Sequence, residues 1–127
     1  MAKYLLDTTA LIDYLNGRQG VIELLRGFVM QGHNLGICCI NITELYSGLR
    51  EAERSLAARL LDTLDYHEVT PDVAKQAGSY RSDFARKGIT LSTSDCIIAA
   101  VAVANGAILI TANVKDYPMV ELQKLAH

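Results

Sequence analysis

The chain has 127 residues, half of them hydrophobic and 20% charged, with a formal net charge of −2 at pH 7. That length and apolar share fit one compact domain and exclude a disordered tail or a fibre. The slightly acidic balance also excludes a domain that holds nucleic acid through a broad basic surface, so any basic patch must be local.

The three cysteines are an odd number without a C-x-x-C spacing, and Cys38 and Cys39 stand adjacent in a run that reads as a strand. Free thiols in a reducing cytoplasm are expected, not a disulfide framework or a Cys metal site. The opening Met1 to Leu6 reaches Asp7 too soon for the apolar stretch of a secretory signal. The longest apolar run, Cys96 to Ala104, stops at Asn105-Gly106, short of the ~20 residues that span a bilayer. No membrane anchor is expected.

In chain order, Tyr4-Leu5-Leu6 reads as a strand, and Asp7-Thr8-Thr9 can cap a helix carrying Leu11, Ile12 and Leu15. Gly17 and Gly20 interrupt it, after which Val21, Leu24, Leu25, Phe28 and Val29 recur at helical spacing up to Gly32. Leu35 to Ile40 is predicted as a second strand closed by Asn41, leading into a helix through Leu45 and Leu49. Leu56, Leu60, Leu61 and Leu64 mark a further helical face. Tyr66 to Val69 reads as a third strand. Thr70-Pro71-Asp72 then supplies an N-cap, a first-turn proline and a first-turn acid for a helix running to Arg86 and stopped by Gly88. An apolar helix follows from Asp95 to Ala104, apolar nearly all round and so the most buried. Ala107 to Ile110 is predicted as a fourth strand and Val120 to Leu122 as a fifth at the edge.

Continuously apolar strands separated by helices predict an α/β fold in which helices cover both faces of a parallel sheet. In such folds ligands bind beyond the carboxyl ends of the strands, where the strand order reverses. Four acids fall at that rim: Asp7 after the first strand, Glu44 in the first turn after the second, Asp95 opening the apolar helix, and Asp116 after the fourth strand. Each has a plain structural reading, because Asn41-x-x-Glu44 and Ser92-x-x-Asp95 fit capping-box spacing and Asp7 can cap the first helix. Together they read differently, since crowded carboxylates repel unless a counter-ion joins them. Mg²⁺ or Mn²⁺, which prefer oxygen ligands, would resolve the repulsion and could activate water against a phosphodiester. Helix N-termini beside the rim favour a bound phosphate.

These blocks also carry a family resemblance. Leu5-Leu6-Asp7-Thr8-Thr9-Ala10-Leu11-Ile12-Asp13-Tyr14-Leu15 resembles the opening motif of PIN domains, above all the small VapC-type toxins. Asn41-Ile42-Thr43-Glu44-Leu45-Tyr46-Ser47-Gly48 resembles their second acidic motif, and Ser94-Asp95-Cys96-Ile97-Ile98-Ala99-Ala100 their third. Leu109-Ile110-Thr111-Ala112-Asn113-Val114-Lys115-Asp116-Tyr117 is similar to the last, and the four blocks occur in the family's order. The resemblance implies a three-layer α/β/α sandwich around a central parallel sheet of four to five strands. It further implies a Mg²⁺- or Mn²⁺-dependent endoribonuclease acting on RNA in the cytoplasm, a VapB-like antitoxin partner and a homodimer. By motif, Asp7, Glu44 and Asp95 are the core acids and metal ligands, with Asp116 or Asn113 as the fourth. Thr9 stands where many relatives carry Asn, which implies a different supporting contact.

The remaining polar features read as structural. His33, His67 and His127 lack ligand-like spacing, and Asp13, Asp62, Asp65, Asp72 and Asp83 read as surface or capping residues. Arg81, Arg86 and Lys87 lie before the third block, where they could meet RNA phosphates or form a solvated helix face, and Tyr46 could stack on a base or pack on the sheet. Two rival readings are a phosphoacceptor signalling domain and a catalytically inactive PIN-like scaffold that binds RNA or protein. The first needs a second acid beside Asp7 and a late-strand Lys, which Thr8-Thr9 and Asn113 do not supply.

Overall fold

The computed structural model describes residues 1–127. Strand β1 (Lys3–Leu6) leads into α1 (Thr8–Leu15) and α2 (Gln19–Met30), then β2 (Asn34–Ile37), α3 (Cys39–Gly48) and α4 (Glu51–Asp62). A two-residue β3 (Asp65–Tyr66), the long α5 (Pro71–Arg86), α6 (Thr93–Ala104), β4 (Ile108–Thr111), a 3-10 turn at Val114–Asp116 and β5 (Lys124–Ala126) complete the chain. The five strands form one sheet in the order β3-β2-β1-β4-β5, and every neighbouring pair is parallel.

Side chains alternate across a strand, and this alternation divides the core. Leu5 and Leu109 point into one cluster with α5 and α6, while Leu6 and Ile110 point into another with α1 and α2. Leu60 and Leu61 at the end of α4, and Leu64 just after it, pack on the second cluster, although Leu56 of the same helix is 54% exposed. Two apolar layers over one parallel sheet are the three-layer sandwich that the sequence implies. α6 is indeed the deeply buried helix, with Cys96, Ile98, Ala99, Ala100, Val101 and Ala102 all out of solvent.

Several boundaries move. β2 ends at Ile37, and Cys38 at the N-cap of α3 turns the chain, so Cys38 and Cys39 are not strand residues and Asn41 does not close a strand. The apolar run through Ile40 conceals this turn, because the first turn of α3 is as hydrophobic as the strand before it. β3 is Asp65–Tyr66 instead of 66–69, and β4 is shifted one residue to Ile108–Thr111. The edge strand is Lys124–Ala126, paired with β4; Val120 is 97% exposed and Leu122 is buried from a turn. Gly20 lies inside α2, and only Gly17, at φ 77°, separates α1 from α2 in the left-handed region that glycine tolerates. All three cysteines are free. No helix is long and apolar enough to cross a membrane.

α6 supplies the direct test of this packing. Ile98 is 1% exposed, and Ile98→Asp would bury an unpaired charge, so the variant is expected to fail to fold in soluble form. A variant that melts within a degree or so of the parent by circular dichroism would contradict the placement of α6.

Candidate active site

The strand order reverses at β1, whose neighbours β2 and β4 lead outward in opposite directions. Asp7 stands at the carboxyl end of β1 on that switch point, and its backbone N–H extends the β1–β4 ladder to the Ile110 carbonyl at 3.0 Å. Its backbone is extended and α1 starts at the next residue, so the Asp7 side chain caps the helix by accepting from the Thr9 N–H at 2.6 Å. Asp7 therefore caps α1 from the switch point itself.

Asp7 is 4% exposed and takes three further hydrogen bonds. The Thr9 hydroxyl donates to Oδ1 at 2.5 Å, the Thr111 hydroxyl to Oδ2 at 2.7 Å, and the Tyr117 hydroxyl to Oδ2 at 3.1 Å. Four donors match the four lone-pair positions of an ionised carboxylate. The Thr9 hydroxyl is thus a supporting contact of Asp7.

Tyr117 joins the first and third acidic blocks. Its hydroxyl stands 3.1 Å from Asp95 Oδ1 as well as 3.1 Å from Asp7 Oδ2. Burial, and then the charges of Asp7 and Asp95, push its phenol far above the usual tyrosine range, so it remains a proton donor. One hydroxyl hydrogen cannot fully serve two carboxylates. Asp95 is half-buried in the first turn of α6, with its backbone N–H held by the Ser92 hydroxyl at 3.1 Å, so Ser92 caps the helix and Asp95 faces the site. Burial raises the Asp95 carboxyl above the normal range, hydrogen bonds from Ser92 and Tyr117 oppose the shift, and the charges of Asp116 and Asp7 add to it. Asp116, half-buried in the 3-10 turn, is thus close enough to repel Asp95.

Glu44 is placed differently from the reading above. It lies in the second turn of α3, exposed, and accepts from the Thr8 hydroxyl at 2.6 Å, beside Asp7 in sequence. Asn41 performs the work that links the two elements. Fully buried, it accepts from the Cys38 N–H at 2.8 Å and donates to the Leu6 carbonyl at 3.0 Å and to Thr8 Oγ1 at 3.3 Å. It thereby pins α3 to the end of β1, a role that the capping-box reading of Asn41 and Glu44 missed. Asn113 is exposed; its backbone N–H donates to Thr111 Oγ1 and its carbonyl accepts from the Asp116 N–H.

Asp7, Asp95 and Asp116 form one electrostatic group, with Glu44 attached through Thr8. No three carboxylate, imidazole or thiol groups close around a single point, so the rim is not a preassembled all-protein cage. The donor set still suits a hard cation: the linked groups are oxygen donors, and Mg²⁺ commonly binds through one or two carboxylates while keeping waters. The basic residues before the third block are engaged elsewhere: Arg81 Nε donates to the Leu91 carbonyl at 3.2 Å, Arg86 pairs with Asp83, and Lys87 lies over Phe84. Tyr46 is half-buried with Arg54 over its ring at 5.8 Å.

The burial of Asp95, with the charges of Asp116 and Asp7 beside it, sets a sign for stability. A carboxyl raised on folding favours the folded state below its unfolded value, and that contribution is lost as pH rises through the folded value. In EDTA at neutral pH, Asp95→Asn is expected to melt at or above the parent temperature, with the difference shrinking as the pH is lowered into the carboxyl range. A melting series in which the variant is the less stable protein at neutral pH and the gap ignores pH would contradict the assignment.

A model of the PIN domain matches residues 4–117. Ribonuclease VapC10 of Mycobacterium tuberculosis is 32% identical over 120 residues, covering 94% of this chain and 90% of that protein. A toxin-antitoxin complex from Klebsiella pneumoniae contains a chain with 26% identity and a TM-score of 0.75, with 92% of both chains covered. VapBC2 from Rickettsia felis, bound to a DNA fragment from its promoter, superposes with a TM-score of 0.88 at 22% identity over 98% of both chains. The family match and the buried acid at the switch point agree: the chain belongs to the PIN-domain family, among proteins named ribonuclease VapC.

Proposed function

We propose that this chain is a Mg²⁺- or Mn²⁺-dependent endoribonuclease and the toxin of a toxin–antitoxin pair. The observation that carries the reading is the pairing of Asp7 and Asp95 through one Tyr117 hydroxyl at the topological switch point. A buried carboxylate held by four donors beside a second, repelled carboxylate has a charge excess that a divalent cation would relieve. In this reading Asp7, Glu44 and Asp95 are the catalytic acids and metal ligands, with Asp116 or Asn113 as the fourth ligand.

When bound, the cation supplies an activated water and stabilises charge on the phosphodiester. The chain's own residues do the positioning. Thr9 and Thr111 fix both oxygens of Asp7, Tyr117 sets Asp95 against it, and Thr8 and Asn41 hold Glu44 on the neighbouring side. Rigid placement of this kind is what lowers the barrier for in-line attack on a phosphorus centre.

The names of the similar proteins support RNA as the substrate, and the toxin-antitoxin complex supports a VapB-like protein partner. A cleft of about 460 Å³ between α2 and α4, whose lining includes Leu25, Val29, Met30, Leu60 and Leu64, offers such a partner an apolar seat. Val29 and Met30 in that lining are 58% and 88% exposed. A cytoplasmic location and a homodimer belong to the same reading.

Asp7→Asn separates chemistry from capping. Asn caps about as well as Asp, and the Thr111 and Tyr117 hydroxyls can turn to accept from its amide. The variant is expected to melt within ~1 kcal/mol of the parent, or above it, in EDTA. RNA cleavage with Mg²⁺ or Mn²⁺ is expected to fall at least about a hundredfold, more than loss of an outer-shell contact gives. Cleavage at the parental rate would remove Asp7 from catalysis and leave the inactive RNA- or protein-binding scaffold as the better reading.

A further inference from the structure

The acidic site has an outer contact from a residue that lies outside all four motif blocks, His127. Thr9 gives its hydroxyl hydrogen to Asp7 Oδ1. An ionised carboxylate only accepts, and a hydroxyl carries one hydrogen and two lone pairs, so Thr9 meets any other partner as an acceptor. That partner is Nε2 of His127, 3.5 Å away. The His127 side chain is 3% exposed, and its backbone N–H donates to the carbonyl of Thr111, whose hydroxyl also holds Asp7.

The other edge of the ring is also occupied. Nδ1 of His127 lies 3.8 Å from Asp13 Oδ2, and Asp13 Oδ1 is held by Arg18 Nε at 3.1 Å. Each ring nitrogen faces a side-chain oxygen of α1, one of them two residues from Asp7. A histidine that only filled space would need neither contact.

We propose that His127 is a positioning residue of the acidic site: its Nε2–H, donated to Thr9, keeps the Thr9 hydroxyl hydrogen on Asp7. A hydroxyl rotor has more than one staggered position. A donor fixed behind it leaves the position in which its hydrogen lies on Asp7 Oδ1. His127 thus acts on the reaction through Thr9 and Asp7, without touching metal or substrate. The proposal rests on the metal-dependent ribonuclease reading for its effect on catalysis, while the contact itself stands independently.

The test uses three substitutions in the full chain. His127→Phe keeps a planar ring without nitrogens, His127→Gln keeps an N–H donor, and Thr9→Val removes the hydroxyl at nearly constant shape. Mn²⁺ alone is titrated into metal-free protein and followed by electron paramagnetic resonance, RNA cleavage is measured with Mn²⁺, and melting is measured in EDTA. His127→Phe is expected to weaken Mn²⁺ binding about tenfold and to lower kcat by a similar factor with KM unchanged, in line with loss of an outer-shell contact. His127→Gln is expected to recover most of that loss. In the Thr9→Val background, His127→Phe is expected to add nothing to either readout. Parental Mn²⁺ affinity and kcat in His127→Phe, or equal losses in both backgrounds, would overturn the proposal in favour of plain packing. If the parent neither binds Mn²⁺ nor cleaves RNA, the ribonuclease reading fails, and the EDTA melts still decide the contact. Non-additive melting shifts for positions 9 and 127 support it, and additive shifts overturn it.

Discussion

A carboxylate buried at the end of a central strand is the constraint on which the rest of this structure depends. Asp7 is 4% exposed, and burying a charge without partners is prohibitive in an apolar interior. The chain meets the cost with hydroxyls drawn from three places in the sequence: Thr9 in α1, Thr111 at the end of β4 and Tyr117 after the 3-10 turn. That requirement fixes the register of β1 against β4 and brings the segment after β4 back over the sheet. It also explains why Tyr117, a large aromatic residue in a loop, is 1% exposed.

The same constraint shapes the neighbouring acid. The donors that satisfy Asp7 do not satisfy Asp95, because Tyr117 has one hydrogen for two carboxylates. Burial makes Asp95 harder to ionise than a free aspartate, the hydrogen bonds from Ser92 and Tyr117 only partly oppose this, and the charges of Asp116 and Asp7 add to it. The result is one well-held acid beside one poorly served acid. A perturbed carboxylate beside a topological switch point is where function is expected in an α/β sheet.

The sheet, the helix order and the places of Asp7 after β1 and Asp95 at the start of α6 were legible because they depend on local patterns: continuous apolar strands, caps such as Thr70-Pro71, and acids at strand ends and helix starts. Glu44 lies a turn deeper in α3 than the strand boundary suggested. The Ser92 cap and the burial of α6 agree with the same patterns. Asn41 was misread because its role is long-range. Its residue type and its spacing to Glu44 suit a cap, yet its amide spans from α3 to the Leu6 carbonyl, 35 residues earlier. β5 was misplaced because an edge strand paired on one side requires no apolar run, and Lys124-Leu125-Ala126 has none. Tyr117 closes the last motif block, so a signal existed, but its reach to both acids depends on how the loop after β4 folds back. His127 had no sequence signal at all, since its partners Thr9 and Asp13 lie more than a hundred residues away.

The central claim is that Asp7 and Asp95 together form the cation-binding heart of a ribonuclease site. A crystal grown with Mn²⁺ and measured for anomalous scattering tests it directly. The account expects a peak within coordination distance of one oxygen of Asp7 and one of Asp95. A well-ordered protein crystal at saturating Mn²⁺ with no peak between these two carboxylates, or with the ion held by other residues, would contradict it.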